Sequence, residues 1–229
     1  MFVAGTDTGV GKTLIACALV HLMRRQGWRP VPMKPVASGC VPGPEGLVNE
    51  DVEALLAASA CGLTADDIAP YRFEPAIAPH IAAAEAGVLV DHAILCERAE
   101  RLAQHGPLVV EGAGGWLVPT GADATLADLA AALGLPVVLV VGLRLGCLNH
   151  ALLSAASIAA HGLTLAGWVA NNIDPAFERA EANLDSLRAR LPAPCLGVVP
   201  YQPGPDAAAI QLQLPVGLQR LTSASGREV

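Results

Sequence analysis

Lys12 and Thr13 close a glycine-rich string, Gly5-Thr6-Asp7-Thr8-Gly9-Val10-Gly11-Lys12-Thr13, whose residue types suit the binding of a triphosphate. Glycines let backbone N–H groups curl around phosphate oxygens, and a helix opening at the lysine adds its positive dipole end. In such a loop Lys12 supplies a point charge to the β- and γ-phosphates, and the Thr13 hydroxyl reaches Mg²⁺. The spacing departs from the common G-x-x-x-x-G-K-T pattern. Thr6 stands where that pattern has its first glycine, so Gly5 leaves five intervening residues.

Three further groups stand out. Glu111 ends the apolar run Leu108-Val109-Val110 and precedes Gly112-Ala113-Gly114-Gly115; a carboxylate there holds Mg²⁺, directly or through water, or is a solvated loop residue. Asp51 is either a second hard-oxygen ligand or the cap of a helix beginning beside it. Lys34 sits in Met33-Lys34-Pro35-Val36, where burying an ammonium is costly unless it is paired or faces a ligand. It is either a second ammonium near the γ-phosphate or a lysine snorkelling from a sheet edge. No Ser-His-Asp order, no H-E-x-x-H and no Cys/His nucleophile pair accompanies these groups. Chemistry carried by two lysines, Mg²⁺ and backbone donors is phosphoryl transfer, in which positioning and charge neutralisation do most of the catalysis.

The elements that must position these groups read as alternating strand and helix. Strands are expected at Phe2 to Gly5, Val31 to Val36, Leu108 to Val110, Val137 to Val141, Leu165 to Ala170 and Leu196 to Val199. Helices are expected from about Lys12 to Gln26, with Gly27 just beyond, from Glu50 to Ala60, from Asp91 to Gln104 and from Thr125 to Gly134. Asn149 is the expected N-cap of a helix ending at His161-Gly162, and Asp174-Pro175 is expected to open another. Between Ala37 and Gly87 the pattern loosens. Four strands are continuous apolar runs, which implies burial on both faces. The expected fold is a three-layer α/β domain spanning 1–229, with a mostly parallel sheet and helices on both faces. Residues 212–229 are expected to add an edge strand and a disordered tail. Ligands of such sheets bind at the carboxyl ends of the strands, where these groups fall.

Composition agrees with a soluble, cytosolic α/β protein. Apolar residues make up 53% and charged residues 15%, which excludes a disordered chain and predicts a large core, mostly aliphatic because aromatics are only 3%. The formal charge of −7 argues against nucleic acid or an anionic membrane as partner. No stretch approaches the roughly 20 apolar residues of a membrane span. The N-terminal residues lack the basic region of a signal peptide. Six scattered cysteines read as reduced thiols, several of them buried. The expected location is cytoplasmic.

Five strings in order, G-T-D-T-G-V-G-K-T (5–13), K-P-V-A-S-G (34–39), V-E-G-A-G-G-W (110–116), L-G-C-L-N-H-A (145–151) and L-A-G-W-V-A-N (165–171), resemble the dethiobiotin synthetase family. The likeness runs from Gly5 to Gln202, weaker over 61–106, and the wider loop spacing is itself a trait of that family. The resemblance implies an ATP-dependent ligase that joins CO₂ to 7,8-diaminononanoate. One amine becomes a carbamate, the carbamate is phosphorylated by ATP, and the resulting anhydride closes on the second amine. By the same match Lys12, Lys34 and Thr8 are catalytic, and Thr13, Asp51 and Glu111 hold Mg²⁺. Gly9, Val10, Gly11 and Leu14 join them in binding nucleotide, as do Gly112, Ala113 and Gly114. Asn171, Asn172, Pro200, Tyr201 and Gln202 match adenine recognition, and Ser38 matches a substrate contact. Asn149 would reach the substrate carboxylate of the neighbouring subunit in a homodimer. The alternative is a dimerising nucleotide-switch ATPase of the partitioning type. Those proteins resemble K-G-G-x-G-K-T, with a signature lysine at the position held here by Asp7.

Overall fold

The protein is described by a computed structural model covering residues 1–44 and 46–215. Its centre is a six-stranded, all-parallel sheet in the order β10-β9-β8-β1-β7-β2. These strands are β1 (Phe2–Gly5), β2 (Val31–Met33), β7 (Leu108–Glu111), β8 (Val137–Leu143), β9 (Leu165–Asn172) and β10 (Cys195–Val199). The run Val-Val-Leu-Val-Val-Gly-Leu of β8 is buried at every position, as a strand covered by helices on both faces must be.

The helices that cover the sheet are α1 (Lys12–Arg25), α5 (His92–Ala103), α6 (Leu126–Leu133), α7 (Cys147–Ala160) and α8 (Ala180–Arg190), with α2 (Glu50–Ser59) beside α1. Right-handed crossovers require α1 on one face and α5 to α8 on the other, because β1 connects across the sheet in the opposite direction to the later strands. The packing of α1 on α2, α5 on α6 and α7 on α8 agrees. Local chemistry fixes several ends. Thr125 and Asp128 form a capping box at the start of α6, and Gly134 ends that helix in the left-handed conformation.

The structure corrects four expectations. The strand foreseen over Val31 to Val36 is two strands: β2 stops at Met33, and β3 (Val36–Ser38) pairs instead with β6 (Tyr71–Phe73). Pro35 has no N–H to continue the ladder, and Lys34 N–H donates to Ile68 O, 2.8 Å away, which turns the chain out of the main sheet. The loosened stretch also holds an antiparallel pair, β4 (Val41–Gly43) with β5 (Gly46–Val48), and short helices α3 (Ala65–Ile68) and α4 (Pro79–Glu85). Asn149 is not the N-cap of α7; Gly146, at φ 95°, takes that place and Asn149 is the third residue of the helix. Finally, Asp174-Pro175 opens only a turn, since the Asp174 side chain accepts the Ala176 N–H and its carbonyl accepts the Phe177 N–H. Arg179, at φ 59°, interrupts the chain, and α8 begins at Ala180.

At the other edge, Gln213 N–H donates to Leu196 O at 2.8 Å, but residues 212–215 form no strand there, so β10 stays the edge strand of the described sheet. The remainder of the 212–229 segment lies outside the described residues.

Candidate functional site

β1 runs into the glycine loop and the loop into α1, so the loop amides lie at the carboxyl edge of the sheet and at the helix N-terminus. Gly11 makes this turn at φ 86°, and a Cβ there would lie 2.2 Å from Asn171 Nδ2. That close approach comes from a hydrogen bond: the Asn171 amide, at the end of β9 and nearly buried, donates to Val10 O at 2.9 Å. The end of β9, two strands away from β1, therefore braces the loop.

β7 lies beside β1 and delivers Glu111 level with Lys12 and Thr13, with its side chain completely buried. The break after β2 delivers Lys34. Asn49 rather than Asp51 caps α2, accepting the Asp51 and Val52 N–H groups, and this leaves the Asp51 carboxylate free to point into the site. Lys34 Nζ then donates to Glu111 Oε1 at 2.5 Å and to Asp51 Oδ2 at 2.7 Å. Lys34 is a buried, doubly paired ammonium, not a snorkelling edge residue.

Thr13 Oγ1 stands 2.7 Å from both Asp51 Oδ1 and Glu111 Oε1. One hydroxyl proton cannot satisfy two carboxylates, and Glu111 Oε2 is buried with no hydrogen-bond partner among the described residues. Hard oxygens short of donors are what a small divalent cation seeks, so Thr13, Asp51 and Glu111 fit Mg²⁺. Two carboxylates do not make a complete cage, and among the described residues no cluster of three or more His, Cys, Asp or Glu would hold a metal alone. Phosphate oxygens and water would have to complete the shell.

The charges are tuned by burial and by one another. Burial opposes the Lys34 charge, but Glu111 and Asp51 outweigh it and hold its pKa above the ordinary lysine value. Complete burial pushes the Glu111 carboxyl up against the pull of Lys34. Burial would also raise Asp51, yet the Lys34 ammonium overrides it and holds that carboxyl low. Lys12, only 7% exposed, is lowered to about 8, first by burial and then by repulsion from Lys34. Cys17, further along α1, is pushed by burial up to about 12, which makes it a packing thiol.

These groups open onto one cavity of about 690 Å³. Thr8, Gly9, Gly11, Lys12, Thr13, Lys34, Ser38, Asp51, Glu111, Ala113 and Gly114 line it, and the Ser38 hydroxyl is buried there with no partner among the described residues. Its opposite wall is apolar: Val36, Ala76, Ile77, Ala78, Pro79 and Val118. Sequence reading missed that wall, since nothing but its apolar character marks it. Other expected residues lie elsewhere. The Val10 side chain is in the core, Leu14 packs against the core, Gly112 lies against Phe2, and Pro200, Tyr201 and Gln202 are exposed after β10. The Asn172 side chain accepts the Asp174 N–H, and Asn149 is exposed on the first turn of α7.

A parallel sheet, a strand–glycine loop–helix unit and a carboxylate at the neighbouring strand end define a phosphate-loop NTPase-type α/β domain. Solved structures share that fold. The signal recognition particle receptor FtsY from Elizabethkingia anophelis matches with TM-score 0.53 at 16% identity, over 93% of this chain and 60% of that one. A ParA family ATPase from Chlorobium tepidum matches with TM-score 0.53 at 12% identity, over 88% and 84%. A family model described as an AAA domain matches residues 1–209. The chain is 54% identical over 222 residues to the ATP-dependent dethiobiotin synthetase BioD of Pseudomonas aeruginosa, covering 95% of this chain and 97% of that one. It is 53% identical to the protein of that name from Aromatoleum aromaticum, over 93% and 96%. The chain belongs to the dethiobiotin synthetase family of ATP-dependent ligases.

Proposed function

We propose that this protein makes dethiobiotin from 7,8-diaminononanoate, CO₂ and ATP in the cytoplasm. The observation that carries the reading is the buried Lys34 ammonium held between Glu111 and Asp51 in the lining of the cavity that Lys12 and Thr13 share. One neutral amine of the substrate adds to CO₂ and loses a proton, giving a carbamate. A carbamate oxygen then attacks the γ-phosphorus and ADP leaves. The second amine attacks the carbonyl of the mixed anhydride, phosphate leaves, and a cyclic urea remains.

Lys12 and Lys34 neutralise charge on the transferring phosphoryl group, and the loop amides from Thr8 to Thr13 orient it, with Leu14 extending the first helical turn. Mg²⁺, held by Thr13, Asp51 and Glu111, would neutralise β- and γ-phosphate charge when bound. The Ser38 hydroxyl, with no partner among the described residues, is available to the carbamate or its amine. Gly112, Ala113 and Gly114 shape the loop beyond Glu111. Asn171, Asn172 and the segment Pro200 to Gln202, at the ends of adjacent strands, are offered to adenine. Support for a homodimer is an exposed apolar face, Leu117, Leu145 and Leu153, beside Asn149 on α7. From there Asn149 would meet the substrate carboxylate of the neighbouring subunit at a helix N-terminus. No helix among the described residues is long and apolar enough to cross a membrane.

Oxygen labelling tests this route. With ¹⁸O-labelled bicarbonate, read before label exchanges with water, the released phosphate must carry one ¹⁸O from the carbamate. Unlabelled phosphate beside a labelled urea would refute the anhydride.

A further inference from the structure

Asp7 is out of place in a loop that receives a triphosphate, because its negative charge opposes that of the ligand. The chain answers this charge locally. Asp7 Oδ2 is paired with the Arg144 guanidinium, which comes from the turn between β8 and α7. The other carboxylate oxygen accepts the Thr8 N–H at 2.7 Å, and the Asp7 carbonyl accepts the Lys12 ammonium at 3.2 Å. Arg144 thus grips the residue whose backbone holds Lys12, and neither Arg144 nor Asp7 is among the described residues that line the phosphate cavity.

We propose that Arg144 is a positioning residue for nucleotide: it neutralises Asp7 and fixes the peptide that aims Lys12, so triphosphate affinity depends on it without contact. The inference rests on the glycine loop being the nucleotide site. Asp7 and Arg144 side chains are each about two-fifths exposed, so the pair alone stabilises the fold little. Its effect should appear instead in binding an anion of high charge.

The test is calorimetric binding of Mg·ATP to the full chain at low and at 0.5 M salt, with thermal melting alongside. Arg144→Gln should weaken binding by roughly three- to tenfold at low salt, less at high salt, with little change in melting. Arg144→Lys should keep most of the affinity, and adding Asp7→Asn to Arg144→Gln should restore most of what was lost. Equal affinity of Arg144→Gln and the unaltered protein would overturn the inference while leaving the nucleotide site intact. A double variant no better than Arg144→Gln would overturn it too. If the unaltered protein fails to bind Mg·ATP, the nucleotide reading itself falls and takes this inference with it.

Discussion

Lys34 Nζ lies 2.5 Å from Glu111 Oε1, and their side chains are 4% and 0% exposed. An ion pair this deep is not a surface ornament, because removing one partner strands the other charge in the protein interior. Lys34→Ala should therefore lower stability by about 3–5 kcal/mol in urea unfolding. In the folded fraction it should lower kcat more than it weakens ATP binding, since the role proposed for its charge is on the phosphoryl group in transit. A pure KM effect would make it a ground-state contact.

Lys12 is the loop's own cation, and its lowered pKa of about 8 gives a pH dependence. Bound phosphate favours the charged form, and that form is lost as pH rises through the free-state pKa. Nucleotide affinity should thus be level below pH 8 and fall by up to about tenfold per unit above it. A flat titration of the dissociation constant from pH 7 to 9.5 would contradict this. Lys12→Ala should abolish turnover and leave a folded protein, judged by its melting curve.

Glu111 Oε2 is buried with no hydrogen-bond partner among the described residues, so if it serves the proposed Mg²⁺ site Glu111→Gln should raise the Mg²⁺ concentration for half-maximal rate by about tenfold or more. An unchanged Mg²⁺ titration would exclude it as a ligand.

Asn171 Nδ2 braces Val10 O, a structural role that adds to the proposed reading of adenine. Asn171→Ala should cost about 1–3 kcal/mol of stability by leaving a buried carbonyl unpaired. It should also raise the KM for ATP. If instead only the preference for ATP over GTP changes, the brace is energetically idle.

The parallel sheet was legible because β8 and its neighbours are aliphatic runs that no other environment would tolerate. The loop, Lys34 and Glu111 were legible because each breaks an apolar pattern at the end of a strand or within one. Asp51 was ambiguous, since a helix-first-turn aspartate looks like a cap; only the structure shows Asn49 taking that role. Between Val36 and Phe73 the helix from Glu50 was legible, but β3 and β6 were not, because three-residue strands paired across 35 residues leave no periodicity to read. The start of α7 was misread for a related reason. Asn149 is a good capping residue by type, but Gly146 supplies the left-handed turn that the chain needs there.

In the proposed reaction, phosphoryl transfer at this site is coupled to ring closure of a diamine. The direct measurement is phosphate release from Mg·ATP and bicarbonate, with and without 7,8-diaminononanoate, with the product weighed by mass spectrometry. The account predicts release only with the diamine, one phosphate for each cyclic urea formed. ATP turnover indifferent to the diamine, with no urea product, would contradict it.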